Sequence, residues 1–399
     1  MNMNQIITFF LNNPYAHIIY RYLMNSVKIA IIIPYLHKVE GNKPALTLIS
    51  QFIKRGYSVT LITWKIKSSI YEQLSKNIQN LQIKYHKKIK EGKFGILFAI
   101  KYQLLKGVDR KLSNLILNDD ESSRFDFVIV PANEGKWVGQ YVEKSKINKK
   151  PITMITIMEL HENGIFLYQR KGVIKIISFL FYPIFFILQF YEGKRLRSFD
   201  IITANSKWTA QSLSYFYGLN SQIEMISYDP EVFKIQYEYE NIEKRYIAIP
   251  TVSITEKHKQ IIQQLLKDGI NIIAFGSRKI DTEKYLGFVS DEKLREILTN
   301  ASATLFLFDY EAFGLIPLES LICGTPVITE PKLGVFAEYN DCPDVHFTEK
   351  YEEIKKLCNS FLNSEKSSES RKRCIEWAKR YDPEIVTKKI LHAYEKAKK

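Results

Sequence analysis

Phe308–Tyr339 reads FDYEAFGLIPLESLICGTPVITEPKLGVFAEY. The buried run before it, Ala303–Phe308, predicts a strand, and the chain then enters a loop carrying Glu311 and Gly314. A helix is expected to open near Leu315–Pro317, where a proline's missing N–H does least harm. Gly324-Thr325-Pro326 closes that helix, and Pro326–Thr329 is the next strand. This grammar puts a helix N-terminus at the carboxyl edge of a parallel sheet. Its free N–H groups favour a phosphate or diphosphate. Crevices at that edge are where open α/β sheets take ligands. A carboxylate would be repelled by phosphate, so it belongs there only if it accepts hydrogen bonds from neutral hydroxyls. Glu311 and Glu319, flanking one such cradle, point to a nucleotide-sugar, one acid for the sugar and one for the ribose.

Alternation of strand and helix continues on both sides. Upstream lie a strand at Tyr246–Ile249, a helix at His258–Asp268, a strand at Asn271–Phe275 and a helix at Asp291–Thr299. Before these, Lys234–Arg245 (KIQYEYENIEKR) is polar and charged and reads as a linker. An earlier series begins with Val27–Pro34 (VKIAIIIP), an apolar run of the kind buried on both faces of a sheet. The polar turn Leu36–Lys43 follows, then a helix over Pro44–Lys54 with Gly56 placed for its C′ position, then the strand Ser58–Thr63. Phe125–Val130, Ile152–Ile157 and Asp200–Thr203 are further strands, and Ser206 is a candidate N-cap for a helix to Tyr217. The expected architecture is α/β, two Rossmann-like parallel-sheet domains facing across a cleft. Residues 1–235 form the first, with 1–26 as an extension. Residues 236–245 are the linker, 246–380 the second domain, and 381–399 a terminal helix packing back on the first.

Composition narrows the function. The 399 residues carry a net charge of +14, with 46% apolar and 25% charged residues, an ordinary globular balance. The basic residues are scattered, and no zinc-finger, Gly-x-x-Gly or RNP-type pattern occurs, which argues against nucleic acid. Cys323, Cys342, Cys358 and Cys374 form no C-x-x-C pair and read as reduced thiols of a cytoplasmic protein. The opening Met-Asn-Met-Asn-Gln lacks the basic run of a cleaved signal peptide.

The string E-A-F-G-L-I-P-L-E followed by G-T-P-V-I resembles the E-x7-E signature of retaining glycosyltransferase family 4, which has the GT-B fold. Phe199–Tyr217, Ile226–Phe233 and Tyr285–Leu294 also resemble segments of that family. By matching position, the resemblance implies that Glu311 contacts the donor sugar and Glu319 the ribose. It implies that Phe313, Gly314 and Leu315 give backbone N–H groups to the diphosphate, and that Phe288 and Val289 flank the base. Lys257 would neutralise charge on the departing diphosphate, a kind of stabilisation that is usually a large catalytic term. Pro250-Thr251-Val252-Ser253 stands where the family has Gly-Arg, leaving Ser253 at the donor site and Arg278 as a substitute cation. Ala312 replaces a common glycine. For the acceptor, the resemblance implies Gly41, in a turn where the family carries Gly-Gly, and Glu159; it implies a catalytic His161 after the Ile152–Ile157 strand, contacting the transferred sugar or the acceptor, with Glu159 as its rival. No D-x-D triplet occurs, which fits a metal-independent enzyme with no cofactor beyond the nucleotide-diphosphate sugar.

Val173–Tyr191 is the most apolar stretch, yet Ile176–Leu188 gives only 13 residues without a charge, short of the roughly 20 of a spanning helix. Arg170, Lys171 and Lys175 precede it and Lys194, Arg195 and Arg197 follow. Residues 170–197 therefore read as a segment lying on an anionic membrane surface, with a buried core helix as the alternative. Some dolichol-pathway mannosyltransferases of the family carry a similar insert, which implies a hexosyl, here mannosyl, transfer to a lipid-linked saccharide or other glycan acceptor, at the cytoplasmic face of the membrane. The competing expectations are a non-catalytic GT-B-fold binding subunit and a nucleotide-sugar epimerase.

Overall fold

The computed structural model describes residues 27–36, 42–89, 112–114, 116, 125–132, 135–147, 149–158, 190–221, 226–235, 245–364 and 367–399. The chain divides into two compact units. One comprises Met1–Ala204, Ser212–Met225 and Thr387–Lys399, the other Asn205–Gln211 and Ile226–Val386. The proposed extension at 1–26 and nearly all of the proposed linker lie outside the described residues.

The first unit holds a seven-stranded parallel sheet. Its strands are β1 (Lys28–Ile32), β2 (Tyr35–Leu36), β3 (Ser58–Lys67), β4 (Gln82–Ile89), β5 (Phe127–Val130), β6 (Ile152–Ile157) and β7 (Ile201–Ala204). Pairings run β4–β3–β1–β5–β6–β7, with β2 continuing beside the far half of β3. That is the doubly wound order of a mononucleotide-binding fold. Between β1 and β3, helix α1 (Lys43–Lys54) buries Leu46, Leu48, Ile49 and Phe52. Gly56 N–H bonds Ile53 O and Tyr57 N–H bonds Phe52 O, closing α1 with a Schellman motif on the glycine singled out from sequence. Helix α2 (Ser68–Asn77) follows β3, and the short α3 (Val138–Glu143) precedes β6. Helix α4 (Lys207–Tyr217) starts where expected, since Ser206 Oγ accepts the N–H of Thr209 at 3.1 Å.

The second unit is built on a five-stranded parallel sheet of β8 (Ile247–Pro250), β9 (Ile272–Phe275), β10 (Ala303–Phe306), β11 (Val327–Thr329) and β12 (Val345–Phe347), in the order β12-β11-β10-β8-β9. Alternate strand residues feed two separate cores. Ile247, Ile249, Leu305 and Ile328 pack with helices α5 (Glu256–Lys267) and α9 (Tyr351–Asn363) through Ile262, Leu265, Ile354 and Cys358. Ala248, Phe306, Val327 and Val345 pack with α6 (Asp291–Asn300), α7 (Leu315–Ile322) and α10 (Ser368–Ala378), joined by Tyr339 at the end of α8 (Leu333–Tyr339). Burial on both faces is why these strands read as unbroken apolar runs. Neighbouring strands β8 and β10 thus send their chains to opposite faces, β8 into α5 and β10 into α7. That divergence is the topological switch point, which opens a crevice at the carboxyl edge. The last helix, α11 (Pro383–Ala397), contributes its final residues to the first unit, where Tyr394 stacks near Phe127 at 4.7 Å. All four cysteines are buried free thiols.

Candidate active site at the switch point of the second sheet

The loop after β10 is tied down on each side. Asp309 N–H bonds Ser253 O at 2.9 Å, joining it to the loop after β8. Gly334 lies so close that a Cβ there would stand 1.9 Å from Glu311 O, so only glycine fits. Gly314 is the N-cap of α7 with φ +87°, a left-handed conformation that a glycine adopts at no steric cost. Its carbonyl accepts the Tyr339 hydroxyl at 2.7 Å, and Phe313 buries its ring against Tyr339 and Tyr381. Tyr381 in turn donates to the fully buried Glu338, which also accepts Lys207 N–H at 2.8 Å. Burial first, then the neighbouring Tyr381, Glu338, Glu311 and Glu319, push the Tyr339 phenol well above its ordinary range, so it stays a neutral donor.

No side chain caps α7 in the usual sense. Glu311 instead reaches forward, and its Oε1 accepts the Gly314 N–H at 3.3 Å. Pro317, at the third helical position, has no N–H to offer. The donors left at this helix start are those of Leu315 and Ile316. Of the backbone groups named from sequence, Leu315 opens the helix at its first position, Gly314 is held by Glu311, and Phe313 has its side chain in the core. Glu319, one turn or more into α7, is only 6% exposed.

The loop after β9 is pinned to the strand by Leu286 N–H to Ala274 O at 2.9 Å and Gly276 N–H to Gly287 O at 2.7 Å. Phe288 stands out from it, 80% exposed, while Val289 rests on the core. Arg278 is exposed on the same loop, and Lys257 is exposed on the first turn of α5. Lys257, Ser253, Arg278, Phe288, Glu311, Gly314 and Leu315 thus all sit on or next to loops at the carboxyl edge of one sheet. Gly41, Glu159 and His161 lie outside the described residues, as does the bulk of the 170–197 segment.

A buried ionic group accompanies these residues, and the motif reading did not find it. Thr255 caps α5 by a reciprocal box. Its Oγ1 accepts His258 N–H at 3.3 Å, and its own N–H donates to His258 Nδ1 at 3.1 Å. His258 Nε2 meets Glu330 Oε2 at 3.2 Å, Lys332 Nζ lies 2.9 Å from the same oxygen, and Phe308 N–H is 3.4 Å away. Burial pushes the Glu330 carboxyl up, but His258 and Lys332 outweigh it and hold the group at about 2. The sequence signal was a carboxylate directly after a buried strand with a lysine two residues on. Among the described residues, no His, Cys, Asp and Glu side chains converge in threes as a metal-binding group. No helix among them is long and apolar enough to cross a membrane.

Comparison with known proteins bears on the fold. No curated protein sequence matches the chain. Its fold is similar to that of Anabaena HepE in complex with UDP and glucose (TM-score 0.60, 12% identity, 93% of this chain and 100% of that one). It is similar to sucrose-phosphate synthase from Thermosynechococcus elongatus (TM-score 0.62, 13% identity, 93% and 98%). It is also similar to a putative UDP-N-acetylglucosamine 2-epimerase from Listeria monocytogenes (TM-score 0.55, 12% identity, 92% and 96%). Residues 277–381, which contain Phe288, Glu311, Gly314, Glu319, Glu330 and Tyr339, match the family model Glycosyl transferases group 1. The chain is thus a two-unit α/β protein of the GT-B fold, with a stretch of its second unit similar to Glycosyl transferases group 1.

Proposed function

We propose that the protein is a retaining glycosyltransferase that moves a hexosyl group, mannosyl on the dolichol-pathway resemblance, from a nucleotide-diphosphate sugar to a lipid-linked saccharide or other glycan acceptor. One observation carries this reading. The uncapped start of α7 lies at the switch point of the second sheet with Glu311 folded over it, inside the stretch that matches Glycosyl transferases group 1. Phe313, Gly314 and Leu315 give backbone N–H groups to the diphosphate, and Glu311 and Glu319 take hydroxyls of the sugar and the ribose. Phe288 flanks the base with Val289. Lys257, Ser253 and Arg278 line the same edge, with Lys257 supplying charge as the diphosphate leaves. Gly41 and Glu159 serve the acceptor, and His161 is catalytic with Glu311 and Lys257. The transfer needs no metal or other cofactor. The protein works at the cytoplasmic face of a membrane, where residues 170–197 meet anionic lipid. The exposed Phe190 and Tyr191, with the exposed Lys194 nearby, suit that surface.

A calorimetric screen of UDP- and GDP-sugars tests the donor, beginning with uridine because the Anabaena structure holds UDP. Glu311→Ala and Lys257→Ala are each expected to abolish transfer while the protein stays folded by circular dichroism. Full transfer by both variants overturns the site. A liposome that fails to float the protein, with or without anionic lipid, overturns the membrane reading. The Listeria neighbour on the same fold makes epimerisation the second reading. A product formed from donor alone, with no acceptor, would establish it.

A further inference from the structure

The Glu330 cluster is built for more than cohesion. Its carboxylate side chain is 4% exposed, and it joins the start of α5, the exit of β10 and the exit of β11 through His258, Phe308 and Lys332. Burying a carboxylate this deeply is costly unless donors compensate it, and here three converge on Oε2. Lys332 keeps 31% of its side chain exposed. Its ammonium donates to Glu330 and to the Phe308 carbonyl and sits 5.1 Å from the Phe308 ring. An ammonium has three hydrogens. Two are fixed by these partners, and the third is left for whatever lies on the exposed side.

What lies there follows from the next residues of the chain. Gly334 is pressed on the Glu311 backbone, and Val335 would come within 3.4 Å of a Cβ on Gly314. Lys332 therefore begins the segment that walls the Glu311–Gly314 loop, at the same sheet edge as the uncapped donors of α7. Lys257, the other cation at this edge, is the immediate neighbour of His258, so one buried carboxylate references both lysines.

We infer that Lys332, tethered by Glu330, is a cation of the diphosphate site and bonds a phosphate oxygen of the bound nucleotide. This rests on the glycosyltransferase reading above and adds to it a residue that motif matching does not select. An ammonium–phosphate contact is charge-assisted and acts only on a charged ligand.

The test is isothermal titration of the full chain with UDP and GDP, and with uridine and guanosine as phosphate-free probes. Lys332→Met is expected to weaken binding of the preferred nucleoside diphosphate about tenfold or more, to leave the matching nucleoside unchanged, and to be partly restored by Lys332→Arg. Because Lys332→Met removes one partner of a buried carboxylate, the double variant Glu330→Gln/Lys332→Met is measured beside it, and the same selective loss is expected. Diphosphate binding as tight as wild type in both variants overturns the inference and leaves the glycosyltransferase reading standing. So does an equal loss for diphosphate and nucleoside, which would mean that Lys332 only holds the loop in shape. Wild-type protein that binds neither UDP nor GDP overturns both.

Discussion

Two helices start at the same edge of the second sheet, and they are finished differently. Helix α5 is closed on itself, since Thr255 and His258 satisfy each other's backbone N–H groups and the His258 ring goes on to a buried carboxylate. Helix α7 is left open. Its cap is a left-handed glycine, its third position is a proline, and the Gly314 N–H is held by Glu311, a side chain of the preceding loop. A helix whose end groups are already satisfied contributes rigidity and a platform for side chains. One whose end groups are spare can receive an anion. The fold places both at one switch point, and the capping chemistry separates their tasks.

The contrast can be broken most severely at Gly334. Gly334→Ala would place a methyl group on the Glu311 carbonyl, a backbone atom that no rotamer change can move. The expected cost is about 3 kcal/mol or more in urea unfolding, with transfer activity lost even at temperatures where the variant is folded. Retention of both would mean that the loop accommodates the change and is not set by this contact.

The ionic half of the comparison is sharpened by pH. Glu330 is held at about 2, against an ordinary carboxyl at 4.5. A depressed carboxyl contributes stability that is complete above its unfolded value and fades as pH falls through the folded one. The wild-type melting temperature is therefore expected to fall between pH 4.5 and 2, and Glu330→Gln to be less stable at neutral pH with a flatter profile over that window. Identical profiles would remove Glu330 from the stability of this edge.

A smaller effect is expected at the cap itself. Thr255→Ala removes the reciprocal box and should lower stability by about 1 kcal/mol, read as a lower urea midpoint with an unchanged slope. Helix α7 has no counterpart substitution, since no side chain caps it.

Local grammar made most of this fold legible. The buried run at Val27–Pro34, the C′ glycine at Gly56 and the N-cap at Ser206 each act over a few residues, and each is found doing what its chemistry dictates. The loop from Glu311 to Leu315 was legible for the same reason. The helix opens at Leu315, within the expected Leu315–Pro317, and Pro317 takes its third position. Tyr35 and Leu36 pair with Lys65 and Ile66 and extend the first sheet into what reads locally as the beginning of a polar turn. The His258–Glu330 and Tyr381–Glu338 contacts were not legible. Their partners lie far apart along the chain, and neither a histidine at a helix start nor a carboxylate after a strand names its partner. Phe313 shows the same limit. Its backbone belongs to the loop motif, while its ring is claimed by Tyr339 and Tyr381, which arrive from later elements.

The hydrogen bond between Glu311 and Gly314 has one further consequence. A single amide hydrogen satisfies one strong acceptor at a time, so an incoming phosphate oxygen that claims it must evict the carboxylate. Occupancy and unlatching would then be one exchange, with the acid swinging free to grip a hydroxyl only once the anionic half of its ligand is seated. A sugar arriving without its phosphates would find the acid still fastened to its own loop.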